Sequence, residues 1–204
     1  GARVGRGNVS LRMNRYGASL ADFDRAIARG GGEPSAFAGR GEVYRLNPAA
    51  IAAYPMYRGL ATVVGMKVIL TGNTFADEVE TLRENFDAHD FFFIHYKPAD
   101  AAGEDGDFDA KVRRLEELDA FIPQIRELAP DVLMVCGDHA TPAIMAGHSW
   151  HPVPFMLHSA LTRGEGIKAF NEKDCALGSI GRIPATNVML MALSHAGKLA
   201  KFGP

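Results

Sequence analysis

The stretch ValLeuMetValCysGlyAspHisAlaThrPro, residues 132–142, indicates the fold of this chain most directly. It opens with an apolar run that ends at Cys136, and the adjacent pair Asp138 and His139 follows after a single glycine. A short apolar run bounded by glycine is typical of a buried strand. In α/β proteins, ligands bind beyond the carboxyl ends of the strands. The stretch therefore predicts a strand at residues 132–136 with a candidate Asp-His metal-ligand pair at its carboxyl end.

Strands and helices alternate on both sides of this stretch. The predicted strands cover residues 66–70, 91–96, 132–136 and 155–158. The predicted helices cover residues 74–88, 109–128 and 185–196, with Thr74 as the N-cap of the first and a loop at residues 97–107 before the second. This alternation implies an α/β fold in which helices cover both faces of a mostly parallel sheet.

The composition argues against several classes of protein. The chain has 204 residues, is 47% hydrophobic and carries a net charge of −2. That charge gives no electrostatic reason to expect nucleic acid as a partner, and no run approaches the roughly 18 apolar residues of a membrane span. Cys136 and Cys175 form no disulfide framework, and Cys136 is expected to be buried in its strand. We therefore expect a cytoplasmic protein without a nucleic-acid or membrane partner, and its oligomeric state is left open.

The first 48 residues differ in composition from the rest of the chain. They are rich in arginine and glycine, and their one helical pattern lies near residues 20–29. We interpret residues 1–48 as a peripheral segment and residues 49–204 as a metal-binding domain. The arginines would suit an anionic small substrate, and a solvated basic surface is the alternative.

Polar side chains are concentrated after two of the predicted strands. The loop after the strand at residues 91–96 contains Asp100, Glu104, Asp105 and Asp107, and the Asp-His pair follows the strand at residues 132–136. Two further histidines lie in the next loop, His148 and His151. A solvated acidic loop would explain the carboxylates alone. Carboxylates and imidazoles at one sheet edge favour a divalent metal, and Mn²⁺ or Zn²⁺ fits this mixture better than Mg²⁺.

Several segments resemble a known family in their order along the chain. They cover residues 52–59 (AlaAlaTyrProMetTyrArgGly), 95–107 (HisTyrLysProAlaAspAlaAlaGlyGluAspGlyAsp), 137–142, 148–154 (HisSerTrpHisProValPro), 170–178 and 199–203. In these segments the chain resembles the carboxyl-terminal half of the cofactor-independent phosphoglycerate mutases of the archaeal type, in the alkaline phosphatase superfamily. The resemblance covers about residues 50–204 and implies an alkaline-phosphatase-like α/β domain that is incomplete at its amino-terminal side.

The resemblance also implies a chemistry. In that family a serine takes the phosphoryl group of 3-phosphoglycerate, forms a phosphoserine and returns the group to give 2-phosphoglycerate, without 2,3-bisphosphoglycerate. It implies two divalent ions, Mn²⁺ first and Mg²⁺ or Zn²⁺ as alternatives. One ion would be held by Asp100, Glu104 and His148, and the other by Asp138 and His139 with an aspartate and the nucleophilic serine from the family's amino-terminal part. We expect that serine to be absent from this chain, which alone would then be inactive.

Some assignments remain open at this stage. Glu104 stands where the wider family has histidine, which favours harder metals. The candidate substrate-binding residues are Arg58, Lys97 and His151, for which surface solvation, an ion pair with the acidic loop and a loop hydrogen bond are the respective alternatives. Two other functions also fit the metal motifs: a different phosphatase or phosphomutase of the superfamily, and a metal- or phosphate-binding module without catalysis.

Overall fold

The computed structural model describes residue 25, residues 46–164 and residues 166–198. The chain divides into two compact units, the first ending at Tyr96 and the second beginning at Lys97. Apart from Arg25, which is helical, the predicted peripheral segment up to residue 45 lies outside the described residues. Its role stays a prediction.

A three-stranded parallel sheet forms the centre of the first unit. Its elements are β1 (Pro48–Ala52), α1 (Pro55–Val63), β2 (Lys67–Ile69), α2 (Phe75–Asn85), a 3₁₀ turn (Phe86–Ala88) and β3 (Phe91–His95). The strand order is β2-β1-β3, and Ala50 of β1 pairs with Val68 on one side and Phe93 on the other. This unit confirms the α/β class and the parallel sheet predicted from the alternation of elements.

The central strand β1 was not predicted from the sequence, although it is the most deeply buried element. Ala49, Ile51 and Ala52 are 0% exposed, and both α1 and α2 contact this strand. A strand that is buried on both faces has no alternation of apolar and polar residues. Because β1 is also short and rich in alanine, a residue with little preference for strands, its composition does not mark it as a strand.

Helix α2 begins where the sequence predicted. The Thr74 hydroxyl accepts a hydrogen bond from the backbone N–H of Asp77 at 3.2 Å, and the Asp77 carboxylate accepts one from the backbone N–H of Thr74 at 2.9 Å. This reciprocal capping box satisfies two N–H groups that the first turn of a helix leaves without a partner. The buried face of α2 then carries Phe75, Val79 and Leu82.

The second unit contains the remaining elements. They are α3 (Pro98–Glu104), α4 (Phe108–Glu127), β4 (Val132–Cys136), a 3₁₀ turn (Ala143–Met145), β5 (Phe155–Ser159), α5 (Glu172–Cys175), a second 3₁₀ turn (Ala185–Asn187) and α6 (Val188–His195). Strands β4 and β5 pair antiparallel, with Met134 opposite Leu157. A parallel pair needs a long crossover, usually a helix, whereas only a 3₁₀ turn lies between these two strands. None of the described helices has the length and apolar character needed to cross a membrane.

The predicted loop at residues 97–107 is wrong, because α3 occupies most of it. Pro98 lies in the first turn of α3, where its missing N–H costs no hydrogen bond. The chain then turns at Gly106, which has a positive φ of 72°, and Asp107 caps α4 by accepting from the N–H of Ala110 at 2.8 Å. The acidic residues therefore lie on α3, in the turn that follows it and at the N-cap of α4, and not in an extended loop.

The expectation for Cys136 is also wrong. It is the last residue of β4 and is exposed, whereas Cys175 is half-buried, and both thiols are free. An apolar run predicts the strand, but the final residue of a strand need not share the burial of the run.

Candidate metal centre

Helix α3 supplies two carboxylates from one face. Asp100 lies in its first turn and Glu104 at its last position, and residues four apart on a helix project from the same side. The Asp100 side chain is 17% exposed and that of Glu104 is 44% exposed. Formation of a helix in this segment thus brings the two predicted ligands together.

Two loop segments supply the histidines. Ala140 and Ser149 form an isolated antiparallel bridge, in which the N–H of Ser149 donates to the carbonyl of Ala140 at 2.8 Å. Since side chains alternate across paired segments, His139 and His148 both project from the face opposite to the bridged pair. Their ring centroids lie 3.9 Å apart.

The predicted ligands converge in the second unit. Oδ1 of Asp100 lies 3.7 Å from Nε2 of His148 and 3.7 Å from Nδ1 of His139. Oε1 of Glu104 lies 3.2 Å from Nε2 of His148, and Oδ2 of Asp138 lies 3.7 Å from Nε2 of His139. Single ligand atoms of Asp100, His139 and His148 all lie within 4.8 Å of one another.

These spacings fit a divalent metal. Two ligand atoms that share an ion at about 2.0–2.2 Å from each are about 3–3.6 Å apart in tetrahedral or octahedral geometry. The measured separations between Glu104, Asp100 and His148 are close to that range. The mixture of carboxylate oxygen and imidazole nitrogen is the donor set of a site for Zn²⁺ or Mn²⁺.

A lysine ammonium group lies against the carboxylates of α3. Nζ of Lys97 forms an ion pair with Oδ2 of Asp100 and lies 3.4 Å from Oε2 of Glu104. Burial raises the pKa of Asp100, but hydrogen bonds from Lys97 and Thr141 and the nearby positive charge outweigh it, so this pKa lies below its ordinary value. The hydrogen bond to Asp100 in turn raises the pKa of Lys97. The structure thus contains the ion pair that was the alternative for Lys97, and its substrate role stays a prediction.

Thr141 is a residue of this centre that sequence reasoning missed. Its side chain is buried, its hydroxyl donates to Oδ1 of Asp100, and Nδ1 of His139 lies 3.1 Å from the same hydroxyl oxygen. Its carbonyl accepts a hydrogen bond from Nζ of Lys111. A side chain at Gly103 would collide with that carbonyl. Nothing in the sequence distinguishes this threonine from others in loops, because its role depends on a contact across 41 residues.

The two other candidate substrate-binding residues make local contacts. The guanidinium group of Arg58 donates to the carbonyls of Ala52 and Ala53 at 3.3 and 2.8 Å, at the carboxyl end of β1. Nδ1 of His151 lies 2.8 Å from the Ser149 hydroxyl, which is the loop hydrogen bond considered as its alternative. Roles for Arg58 and His151 in substrate binding remain predictions.

A protein-family profile matches the part of the chain that carries this candidate centre. The profile described as the metalloenzyme superfamily matches residues 28–195, which is most of the chain and includes every ligand described above. The chain belongs to the metalloenzyme superfamily. The matched range contains the two carboxylates of α3 and both histidines of the candidate centre.

Curated relatives in the metalloenzyme superfamily are longer than this chain. A protein of Thermosipho melanesiensis named "probable 2,3-bisphosphoglycerate-independent phosphoglycerate mutase" is 50% identical over 198 residues, which are 96% of this chain and 49% of that protein. A protein of Thermus thermophilus with the same name is 43% identical over 201 residues, 96% of this chain and 50% of its own length. The chain spans about half the length of the curated relatives it matches.

Solved structures agree on the fold. A protein of Pyrococcus horikoshii is 27% identical with a TM-score of 0.76, over 81% of this chain and 53% of its own. The cofactor-independent phosphoglycerate mutase of Thermoplasma acidophilum has a TM-score of 0.60 at 22% identity, over 78% of this chain and 38% of its own. At that identity the second likeness is one of fold alone, and both support the predicted alkaline-phosphatase-like α/β class.

Proposed function

We propose that the protein carrying this chain interconverts 3-phosphoglycerate and 2-phosphoglycerate by metal-dependent phosphoryl transfer, without 2,3-bisphosphoglycerate. The observation that carries the proposal is the convergence of Asp100, Glu104, His139 and His148 in a chain that is 50% identical to a named mutase. The proposal includes a phosphoserine, whose serine would come from outside this chain. It also places the protein in glycolysis and in the cytoplasm.

Two sets of ligands would hold two ions. Asp100, Glu104 and His148 form the first set, and Asp138 with His139 forms part of the second. When bound, such ions lower the pKa of a hydroxyl nucleophile and neutralise charge on the phosphoryl oxygens. Mn²⁺ is the proposed ion, with Mg²⁺ or Zn²⁺ as alternatives, because the first set adds a second carboxylate to a single imidazole.

The chain's own residues would prepare the ligands before an ion enters. The ammonium of Lys97 holds one oxygen of each carboxylate on α3, which leaves Oδ1 of Asp100 and Oε1 of Glu104 directed at the imidazole of His148. The lowered pKa of Asp100 keeps it ionised, and an ionised carboxylate is the form that binds a cation. We propose that Lys97, Arg58 and His151 bind the phosphate and carboxylate groups of the three-carbon substrate, since two are cations and the third is a hydrogen-bonding ring.

A direct test compares this chain with the longest open reading frame that contains it. Both proteins are purified, loaded with Mn²⁺ and assayed for conversion of 3-phosphoglycerate. We expect turnover by the longer product and none by the 204-residue chain alone. An inactive longer product that still binds Mn²⁺ would overturn the proposal in favour of a non-catalytic metal-binding module, and release of inorganic phosphate without isomerisation would replace it with a phosphatase.

A pair of variants tests the division of ligands. His148→Ala should abolish Mn²⁺ binding by this chain, because it removes a ligand of the set that the chain carries as a triad. Asp138→Ala should leave that set intact and should lower only the affinity for a second, more weakly bound Mn²⁺. Equal loss of Mn²⁺ from both variants, measured by isothermal titration calorimetry, would contradict the division.

A further inference from the structure

Thr141 lies between two ligands that the proposed division assigns to different ions. It is 4% exposed, and its hydroxyl contacts Oδ1 of Asp100 on one side and Nδ1 of His139 on the other. Neither of the two proposed ligand sets includes Thr141. Its contacts nevertheless join α3 to the loop that follows β4.

The contacts of this hydroxyl determine where the protons lie. A threonine hydroxyl has one proton to donate and lone pairs to accept with. Its proton is directed at the Asp100 carboxylate, which is acceptor-only when ionised. The second contact, at 3.1 Å, is a hydrogen bond only if Nδ1 of His139 donates to the Thr141 oxygen. A neutral imidazole that carries its proton on Nδ1 has its lone pair on Nε2.

We propose that Thr141 is a positioning residue that fixes His139 as the tautomer protonated on Nδ1, so that Nε2 is the atom offered to a metal ion. Nε2 of His139 faces Oδ2 of Asp138 at 3.7 Å. Metal-bound histidines commonly donate their other N–H to an oxygen, which sets the tautomer and the ring orientation. Thr141 supplies that oxygen here.

The tautomer decides which ligands share an ion. Ligand atoms of Asp100, His139 and His148 lie close enough to form one site, and Nδ1 of His139 is 3.7 Å from Oδ1 of Asp100. With Nδ1 protonated, that nitrogen cannot bind an ion beside Asp100. Asp100 then pairs with His148 and Glu104, while His139 pairs with Asp138. Thr141 therefore separates two overlapping ligand sets that distances alone do not separate.

The threonine is itself held in place from two sides. Nζ of Lys111 on α4 donates to its carbonyl, and Gly103 on α3 approaches that carbonyl so closely that no side chain could replace its hydrogen. The hydroxyl therefore has a fixed direction. A ring that depends on it is therefore tied to α3 and α4 as well as to its own loop.

This inference rests on the proposed metal centre, and its first test does not require metal. Long-range ¹H–¹⁵N correlation spectra of the metal-free 204-residue chain report which ring nitrogen carries the proton in a neutral imidazole. A His139→Gln variant assigns the signal. We expect His139 to be protonated on Nδ1 in the wild type and in Thr141→Ser, and to be a mixture of tautomers in Thr141→Val. A wild-type His139 protonated on Nε2 would overturn the proposal, whether or not the variants fold.

The second test measures Mn²⁺ binding by calorimetry. Loss of a group that orients a metal ligand typically lowers affinity by about 10–100-fold, so Thr141→Val should weaken by that factor the binding of the second Mn²⁺, the one assigned to Asp138 and His139. Thr141→Ser should stay within a few-fold of the wild type. Thr162→Val is the matched control, since the Thr162 hydroxyl bonds only to the backbone of Ser159 in the described structure.

Together, the spectra and the Mn²⁺ titrations distinguish a failure of this inference from a failure of the proposed function. Equal affinity of wild type and Thr141→Val for this second Mn²⁺ would overturn the positioning role even if the spectra agreed with it. A wild type that shows the expected tautomer and binds no Mn²⁺ would refute the metal centre and with it the positioning role. A wild type that binds Mn²⁺ with the opposite tautomer would refute the role of Thr141 alone.

Discussion

Glu78 in the first unit and Asp100 in the second are both carboxylates shielded from water, yet their pKa values move in opposite directions. Glu78 is 3% exposed; Oε1 accepts from the N–H of Ala53 at 2.7 Å, and Oε2 has no hydrogen-bond partner in the part of the chain that the structure describes. Burial is the main cause that raises the pKa of Glu78 to about 7, and one backbone N–H offsets it only in part. Glu78 can therefore stay neutral inside the protein.

Asp100 is shielded as well, but it has cationic and hydroxyl partners. The Lys97 ammonium and the Thr141 hydroxyl each take one of its oxygens, and they outweigh the burial that would raise its pKa. Removal from water favours the neutral form of a carboxylate, whereas opposite charge and donated hydrogen bonds favour the ionised form. The comparison teaches that partners, more than burial, decide which of these carboxylates is prepared to bind a cation.

The largest expected effect comes from removing the charge of Asp100. Asp100→Asn should lower Mn²⁺ affinity by more than about 100-fold, which exceeds the usual cost of losing an orienting group. Isothermal titration calorimetry measures it. Asp105→Asn is the control, because Asp105 is an exposed carboxylate at the end of the same helix. If both variants bound Mn²⁺ as the wild type does, Asp100 would not be a ligand.

The next effect tests the neutral state of Glu78. An acid whose pKa is raised from 4.5 in the unfolded chain to about 7 when folded contributes stability that is present at low pH. This contribution declines as pH rises from about 4.5 to about 7 and is constant above that range. Glu78→Gln cannot ionise, so this pH dependence, worth up to about 3 kcal/mol, should disappear. Urea unfolding at a series of pH values measures it, and an unchanged profile in the variant would show that Glu78 titrates normally.

A smaller effect is expected when the ammonium group of Lys97 is removed from Asp100. Lys97→Met should raise the pKa of Asp100 and lower the stability of the metal-free chain near pH 7 by about 1.5–3 kcal/mol, as for a hydrogen bond to a charged group. The sign follows because a lowered carboxyl pKa stabilises the fold above its unfolded pKa. Thermal unfolding with and without Mn²⁺ measures it, and the ion should reduce the deficit by supplying positive charge. Lys173→Met, at an exposed lysine of α5, should show neither change.

The smallest effect concerns the neighbour of Glu78. The charge of Asp77 is the weakest of the causes that act on the pKa of Glu78, and it raises this pKa. Asp77→Asn should therefore move the midpoint of the Glu78-dependent stability change to slightly lower pH, while the asparagine oxygen can still accept from the N–H of Thr74. Glu80→Gln is the matched control, because Glu80 is not among the charges that act on the pKa of Glu78. A midpoint displaced equally by both would mean that Glu78 responds to net charge rather than to Asp77.

Several parts of the fold followed from local patterns in the sequence. The strand at residues 132–136, the capping residue Thr74 and the parallel sheet of the first unit are confirmed. Each depends on neighbours in the chain: an apolar run, a threonine before an apolar periodicity, and strands that alternate with helices. Helix α3 was missed because the segment was predicted as a loop, although Pro98 lies in the first turn, where proline is tolerated.

The candidate site, like the fold, was predicted only in part from the sequence. The residue types of its ligands and their positions after strands were visible in the sequence, and the resemblance to a family supplied their grouping. Thr141, Lys111 and Gly103 were not visible, since they act through contacts with residues about 30 or more positions away in sequence.

The amino-acid sequence by itself therefore determined the α/β class of this protein and the donor atoms of its candidate metal centre, because hydrophobic periodicity and side-chain chemistry are local properties. Only the tertiary structure decided that the pKa of Asp100 is lowered, that Glu78 can be neutral and that β1 lies at the centre of its sheet. The physical reason is that charge state and burial depend on which groups surround an atom in space. For Asp100 those groups include Thr141, which lies 41 positions away in the chain.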